Sequence, residues 1–148
     1  MSVRGVGDAN NNPTGRFHDL KINITDEYYI DFEDSAIENT LITKGFSSDG
    51  YGVTMSDAAN ATFDNSTFAG QWDNKNTSIT KFNEFKYFTK ANNNPPTGLF
   101  RYCPSLIEID LSNCTKFSLY EFAISGIQVV NAPLLQSIGG NESFNGCS

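Results

Sequence analysis

Residues 99–114 read LFRYCPSLIEIDLSNC, and the stretch returns as EFAISGIQVVNAP at 121–133 and in part as SFNGC at 143–147. Phe100, Phe122 and Phe144 stand 22 residues apart, and Cys103, Ser125 and Cys147 keep the same interval. Between them Leu106, Ile109, Leu111, Cys114 and Phe117 recur 21 residues later as Ile127, Val130, Ala132, Leu135 and Ile138. One deletion after Ser125 and one insertion before Phe144 account for the difference. Agreement at about ten equivalent positions is more than chance supplies in Phe-rich sequence, and self-similarity at a fixed period is the mark of a repeat architecture.

A period of 22 with an L-x-x-I-x-L core falls in the leucine-rich-repeat range. Each coil predicts one short strand, near 107–111 and 129–132, whose inward residues cannot be buried alone. Stacking the next coil buries them. The predicted spine is Phe100, Cys103, Leu106, Ile109, Leu111, Phe122, Ile127, Val130, Phe144 and Cys147. Small residues at 103, 125 and 147 let neighbouring turns approach. About two coils are visible where three or more repeats are normally needed, so further repeats or a partner surface are expected to cover the open end. The expected fold class is α+β, a small helix-loop-helix leader followed by a short leucine-rich-repeat solenoid.

Working back from the repeat, Ile79, Phe82, Phe85 and Phe88 recur at every third position. That period suits 3₁₀-like turns opening the solenoid better than a long α-helix or a strand. NNNPPTG at 92–98 is a breaker. Residues 60–78 read as loop pinned by Phe63, Phe68 and Trp72. Residues 33–44 suit a helix, with Asp34 or Ser35 at its start, Ile37 and Leu41 on one face, and Gly45 just past its end. Ser56 is expected to cap a second short helix through Asp57, Ala58 and Ala59. Residues 17–32 alternate in part and predict one or two short strands. The domain plan is a flexible arm over 1–16, a leader over 17–75 with short strands and the helix-loop-helix, and the solenoid over 76–148, comprising an opening coil and about two repeats.

The matches at 99–114, 121–133 and 143–147 resemble the BspA-type leucine-rich repeat, whose coils read roughly A-F-x-x-C-x-x-L-x-x-I-x-L/I-P. The resemblance extends upstream to IDFEDSAIENTLI at 30–42 and NTSITKFNEFKYFT at 76–89, which are similar to the leader of such proteins from gut bacteria and their phages. It implies a non-catalytic surface or attachment role and an EF-hand-like loop in the leader. Calcium needs oxygen ligands at alternating loop positions. Matching Asp49-Gly50 to the loop's acid and glycine leaves Gly45 and Ser47 where carboxylates or amides belong, and shifts Asp57 to the final position. The reading is a scaffold kept with the metal lost; Ser47, Asp49 and Asp57 are the candidate ligands if calcium binds.

The remaining chemistry excludes more than it assigns. The 148-residue chain carries 17 acidic and 10 basic residues, a formal charge of −7. Phosphate binding needs clustered Lys and Arg, so nucleic acid and anionic membrane surfaces are not expected partners. No apolar run approaches the length of a membrane span. The start of the chain has no apolar core of a secretory signal. Three cysteines with no C-x-x-C pair read as small buried hydrophobes. His18 is the single histidine and reads as structural or solvated, and the acids Asp31, Glu33 and Asp34 sit at a helix start, where the helix dipole favours them. No catalytic residues and no cofactor are expected. Six N-x-S/T sequons, at Asn23, Asn60, Asn65, Asn76, Asn113 and Asn141, read as chance among 17 Asn. Trp72 and Tyr120 are candidates for a sugar- or protein-binding patch, with core packing the favoured alternative. The expected function is a non-catalytic structural protein of a phage virion (tail, fibre or head decoration) held in a multi-subunit assembly with other protein subunits. The alternative is a fragment of an exported bacterial cell-surface adhesin.

Overall fold

A computed structural model describes residues 28–140 and 142–147. The expected arm over 1–16, the strand residues before 28, His18 and the sequons at Asn23 and Asn141 lie outside the described residues.

Helix α1 spans Ser35–Thr43. Asp34 caps it from extended backbone, its carboxylate accepting the Ala36 N–H at 2.9 Å, which satisfies one of the donors a helix start leaves open. Ile37 and Leu41, one turn apart, are fully buried. Gly45, at φ +80°, lets the chain turn out of the helix, and the Gly45 and Phe46 N–H groups return to the carbonyls of Ile42 and Leu41. Helix α2 (Met55–Asn60) is capped by Thr54, not by the expected Ser56. Thr54 Oγ1 accepts the Asp57 N–H at 3.0 Å, and the Asp57 carboxylate accepts the Thr54 N–H at 3.1 Å. This reciprocal pair starts the helix two residues before Asp57's own turn would suggest and places Ser56 inside it.

Ile79, Phe82, Phe85 and Phe88 are all buried. They reach the interior through the short strand β1 (Lys81–Phe82) and a 3₁₀ helix (Asn83–Tyr87), which leads into α3 (Thr89–Asn93). Three residues per turn keeps every third side chain on one side. Helix α3 ends ahead of Pro95, because the residue before a proline is pushed out of helical geometry.

Four further strands follow: β2 (Glu108–Asp110), β3 (Lys116–Phe117), β4 (Val129–Asn131) and β5 (Ser137–Ile138). All pairing among them is parallel, in a three-stranded sheet β1-β2-β4 and a two-stranded sheet β3-β5. Ile109 pairs with Val130 and Phe117 with Ile138. The rings of Phe100 and Phe122 stack with centroids 5.7 Å apart and planes 6° apart, and Phe144 lies over Phe122 at 5.4 Å. Phe68, which belongs to no repeat, covers the other side of Phe100 at 5.7 Å. Backbone links follow the same rows: Phe100 N–H to Glu121 O, Tyr102 N–H to Ala123 O, Phe122 N–H to Ser143 O.

The α+β fold ending in a leucine-rich-repeat solenoid over 76–148 is not the architecture adopted. The described chain is a small mixed fold of short helices and two small parallel sheets, with strands of no more than three residues. The physical reason lies in what fills the interior. The core beside Phe100, Leu106 and Ile109 is supplied by Ile37, Leu41 and Phe68, from segments outside the expected solenoid, and by Phe82, Phe85 and Phe88, whose strand β1 pairs with β2 without copying the 22-residue spacing. On the other side, Val130, Ala132 and Leu135 are only half-buried, and Ile138 is 50% exposed. One core therefore runs from Ile30 to Ile127 across the expected boundary at 75.

Asp34 is a clasp as well as a cap. Its Oδ2 accepts from the Thr80 N–H, from Thr80 Oγ1 at 2.9 Å and from the Lys81 N–H at 3.2 Å, tying the head of α1 to the start of β1. Desolvation pushes the Asp34 carboxyl up, but donors from Thr80, Ala36 and Lys81 together hold it below its ordinary 3.8. A depressed folded value means its stabilisation is present above the unfolded value and is lost as pH falls through the folded one. Asp34→Ala strands three backbone donors and is expected to cost about 3 kcal/mol at pH 7. The difference from the parent should shrink below pH 4 in urea melts; a constant difference down to acid pH would refute the charged clasp.

Candidate functional site

Trp72 and Tyr120, distant in sequence, line one cleft of about 330 Å³ together with Gln71, Arg101, Tyr102 and Thr97. Neither belongs to the buried core: Trp72 is 66% exposed and Tyr120 is half-buried. The favoured expectation that both pack in the core is thus not met. A tight turn carries Trp72 at its tip, closed by Gln71 N–H to Asn74 O at 2.9 Å and Asn74 N–H to Gln71 O at 3.2 Å. The turn is fastened at both ends to the segment carrying Arg101: Gly70 N–H donates to Arg101 O at 2.9 Å, and Asn76 N–H to Tyr102 O at 3.0 Å. Asn76 Nδ2 also donates to Phe68 O at 2.8 Å. Gly70 is needed here, because a Cβ would lie 2.4 Å from Asn76 N and 2.5 Å from Tyr102 O.

Arg101 is held between two rings, its guanidinium carbon 4.5 Å from the Tyr102 centroid and 5.1 Å from that of Tyr120. It donates to Tyr102 Oη at 2.7 Å. Its Nε is buried and has no acceptor among the described residues. Trp72 meets Tyr102 edge-on at 6.1 Å. Tyr102 and Tyr120 both hold the left-handed backbone, at φ 58° and 60°. Ile124, outside the cleft, does so too at φ 57°, so this conformation belongs to the chain's recurring turn rather than to the site. Sequence reasoning missed Arg101, Tyr102 and Gln71. The available signal was the 22-residue interval from Gly98 to Tyr120, which puts Tyr120 beside the turn that starts Arg101.

The candidate calcium ligands are turned onto their own loop. Asp49 accepts from Tyr29 Oη, from the Tyr51 N–H at 2.8 Å and from Ser47 Oγ at 3.1 Å. The Tyr29 hydroxyl first, then the Tyr51 N–H, hold Asp49 below the usual carboxylate range. Ser47 Oγ accepts the Gly50 N–H at 2.9 Å. Asp57 serves the Thr54 cap and also accepts from Ser48 N–H and Oγ at 3.3 Å. Asp57, the acid expected at the final position of the loop, is therefore the partner of Thr54 in the cap of α2. Among the described residues no group of three or more His, Cys, Asp or Glu is gathered so as to hold a metal ion.

The other candidate chemistry has structural partners. Glu33 reaches Lys81 at 3.8 Å on the surface, while Asp34 is the clasp described above. Cys103 and Cys114 are buried and Cys147 half-buried, all as free thiols. Burial pushes both buried thiols up to about 12, with a further contribution at Cys114 from Glu121. Cys103 Sγ lies 3.3 Å from Phe68 O and Cys147 Sγ 3.1 Å from Phe122 O, so the small side chains at these positions sit where adjacent turns meet. The predicted spine residues Phe100, Cys103, Leu106, Ile109, Leu111, Phe122 and Ile127 are buried, whereas Val130 and Cys147 are half-buried and Phe144 is 40% exposed. Among the described residues no helix is long and apolar enough to cross a membrane.

No protein-family profile matches the chain, and neither a curated protein nor a solved structure matches it.

Proposed function

We propose that the protein is a non-catalytic attachment component of a phage particle, working within an assembly of other protein subunits. The observation that supports this reading is the cleft around Trp72. Its lining offers ring faces, amides and one cation, with no Ser, His, Cys, Asp or Glu among its residues. Such a lining suits capture of a ligand rather than its turnover. The exposed apolar side chains of Val129, Leu134, Ile138 and Phe144, each at least 40% exposed, suit contact with a neighbouring subunit.

The test is location. Particles purified from the bacterium that carries the gene are expected to contain the chain by mass spectrometry. Its absence from every particle band, with recovery from the washed cell surface, would give the bacterial adhesin instead.

A further inference from the structure

We infer that the cleft around Trp72 binds an acidic saccharide, a pyranose ring bearing a carboxylate. The inference deepens the attachment reading and rests on it only for the biological setting; the binding itself can be measured alone.

Two features of the cleft point to a sugar. Trp72, the chain's single Trp, lies at the tip of a turn with its indole largely in solvent, whereas most of the described phenylalanines are buried. Exposing the largest aromatic side chain costs hydrophobic stabilisation, so its place at a cleft mouth is best explained by a ligand that covers it. The axial C–H groups of a pyranose present a flat apolar face to such a ring. Gln71, Asn65 and Thr97 stand around the same space with amide and hydroxyl groups suited to a ring of hydroxyls. The turn carrying Trp72 is tied by backbone hydrogen bonds at both ends, so the platform is in place before a ligand arrives.

The charge points to a carboxylate. In a chain of net charge −7, the one charged residue lining the cleft is Arg101. Among the described residues, the ion pairs belong to Lys81 and Lys86, and no carboxylate lies within 4.0 Å of the Arg101 guanidinium. Arg101 is half-buried and has no acid paired with it among the described residues. Its hydrogen bond to Tyr102 Oη uses one of five N–H donors. The Tyr102 and Tyr120 rings fix the plane of the fork while leaving the charge uncompensated. A planar cation held by two rings beside an exposed indole accepts a carboxylate in two parallel hydrogen bonds while the sugar ring lies on Trp72. An acidic peptide would satisfy Arg101 but has no flat apolar ring face for Trp72, so the saccharide is favoured.

Because Trp72 is the single tryptophan, its fluorescence reports on the cleft directly. The probes are a uronic-acid disaccharide, the matching neutral disaccharide with a hydroxymethyl group in place of the carboxylate, and a Glu-rich hexapeptide, each titrated into the full chain. The uronide is expected to change the emission saturably and to bind about tenfold tighter than the neutral sugar by calorimetry, the worth of a charged hydrogen-bonded pair. Arg101→Lys should remove that preference, and Trp72→Ala should lose sugar binding altogether. Trp72→Ala alters an exposed side chain, so it remains folded even if Arg101→Lys does not. Equal affinity for the two sugars, no binding by either, or tighter binding of the peptide would overturn the inference. None of these outcomes would alter whether the chain is found in the particle.

Discussion

Phe122→Ala lowers stability by about 4 kcal/mol, the upper part of the range for removing a buried aromatic ring. Phe122 is fully buried and holds three other rings: Phe100 and Phe144 on its two faces, and Phe117 edge-on at 5.7 Å. Removing it leaves a void between stacked rings whose positions are set by backbone hydrogen bonds on both sides, from Phe100 N–H to Glu121 O and from Phe122 N–H to Ser143 O. The ladder prevents the neighbours from collapsing inward, so the cavity term adds to the lost transfer energy. Phe122→Asp goes further by placing a charge there without a partner. Phe144→Ala is the control: the same ring type at the end of the stack, 40% exposed, should cost less than half as much. Chemical denaturation of the three variants measures all of this. Equal losses for Phe122→Ala and Phe144→Ala would mean that the stack is not organised as described.

Glu121→Gln raises stability at neutral pH, by on the order of 2 kcal/mol. Glu121 is 2% exposed, and its Oε2 has no hydrogen-bond partner among the described residues. Burial pushes its carboxyl up to about 8, with the Ser118 N–H pulling the other way. The folded protein therefore holds a proton that the unfolded chain, at the ordinary 4.5, gives up. Stability is fully present below pH 4.5, falls as pH rises, and levels off above about 8. At each pH in that window the unfolded state gains from ionisation that the buried carboxyl is denied. Gln keeps the shape and removes the titration. Thermal melts between pH 4 and pH 9 should show a sloping parent and a flatter variant, with the two converging near pH 4.5. A variant less stable than the parent across the whole range would show that the acid proton makes a hydrogen bond worth more than its burial costs.

The two acids have opposite effects, and burial alone does not distinguish them. Asp34 accepts four hydrogen bonds and is held ionised; Glu121 has one unpartnered oxygen and is held neutral. Asp34 was legible as a helix cap, since an acid before an i, i+4 apolar pair is a local pattern. Its three bonds to residues 80 and 81 were not, because nothing in the sequence relates the head of a helix to a strand more than 45 residues away. Glu121 lies inside the repeat, where its identity differs from that of its apolar neighbours, but its depth depends on how Cys114 and Ser118 close over it.

Local and periodic signals determined a good deal. The cap and length of α1, the inward set Phe82, Phe85 and Phe88, and the rows that put Ile109 beside Val130 and Phe117 beside Ile138 all follow from spacing along the chain. Spacing can do this because hydrogen-bonded turns and parallel rows repeat at fixed intervals. The tertiary structure alone decided two things. It filled the core with Ile37, Leu41 and Phe68 from outside the expected solenoid, so the body became a small mixed fold with two sheets. It also carried Trp72 out of the core and set it beside Arg101 and Tyr120. In both cases the deciding contacts join segments far apart along the chain, and such contacts are chosen by which surfaces bury best once the whole chain has closed.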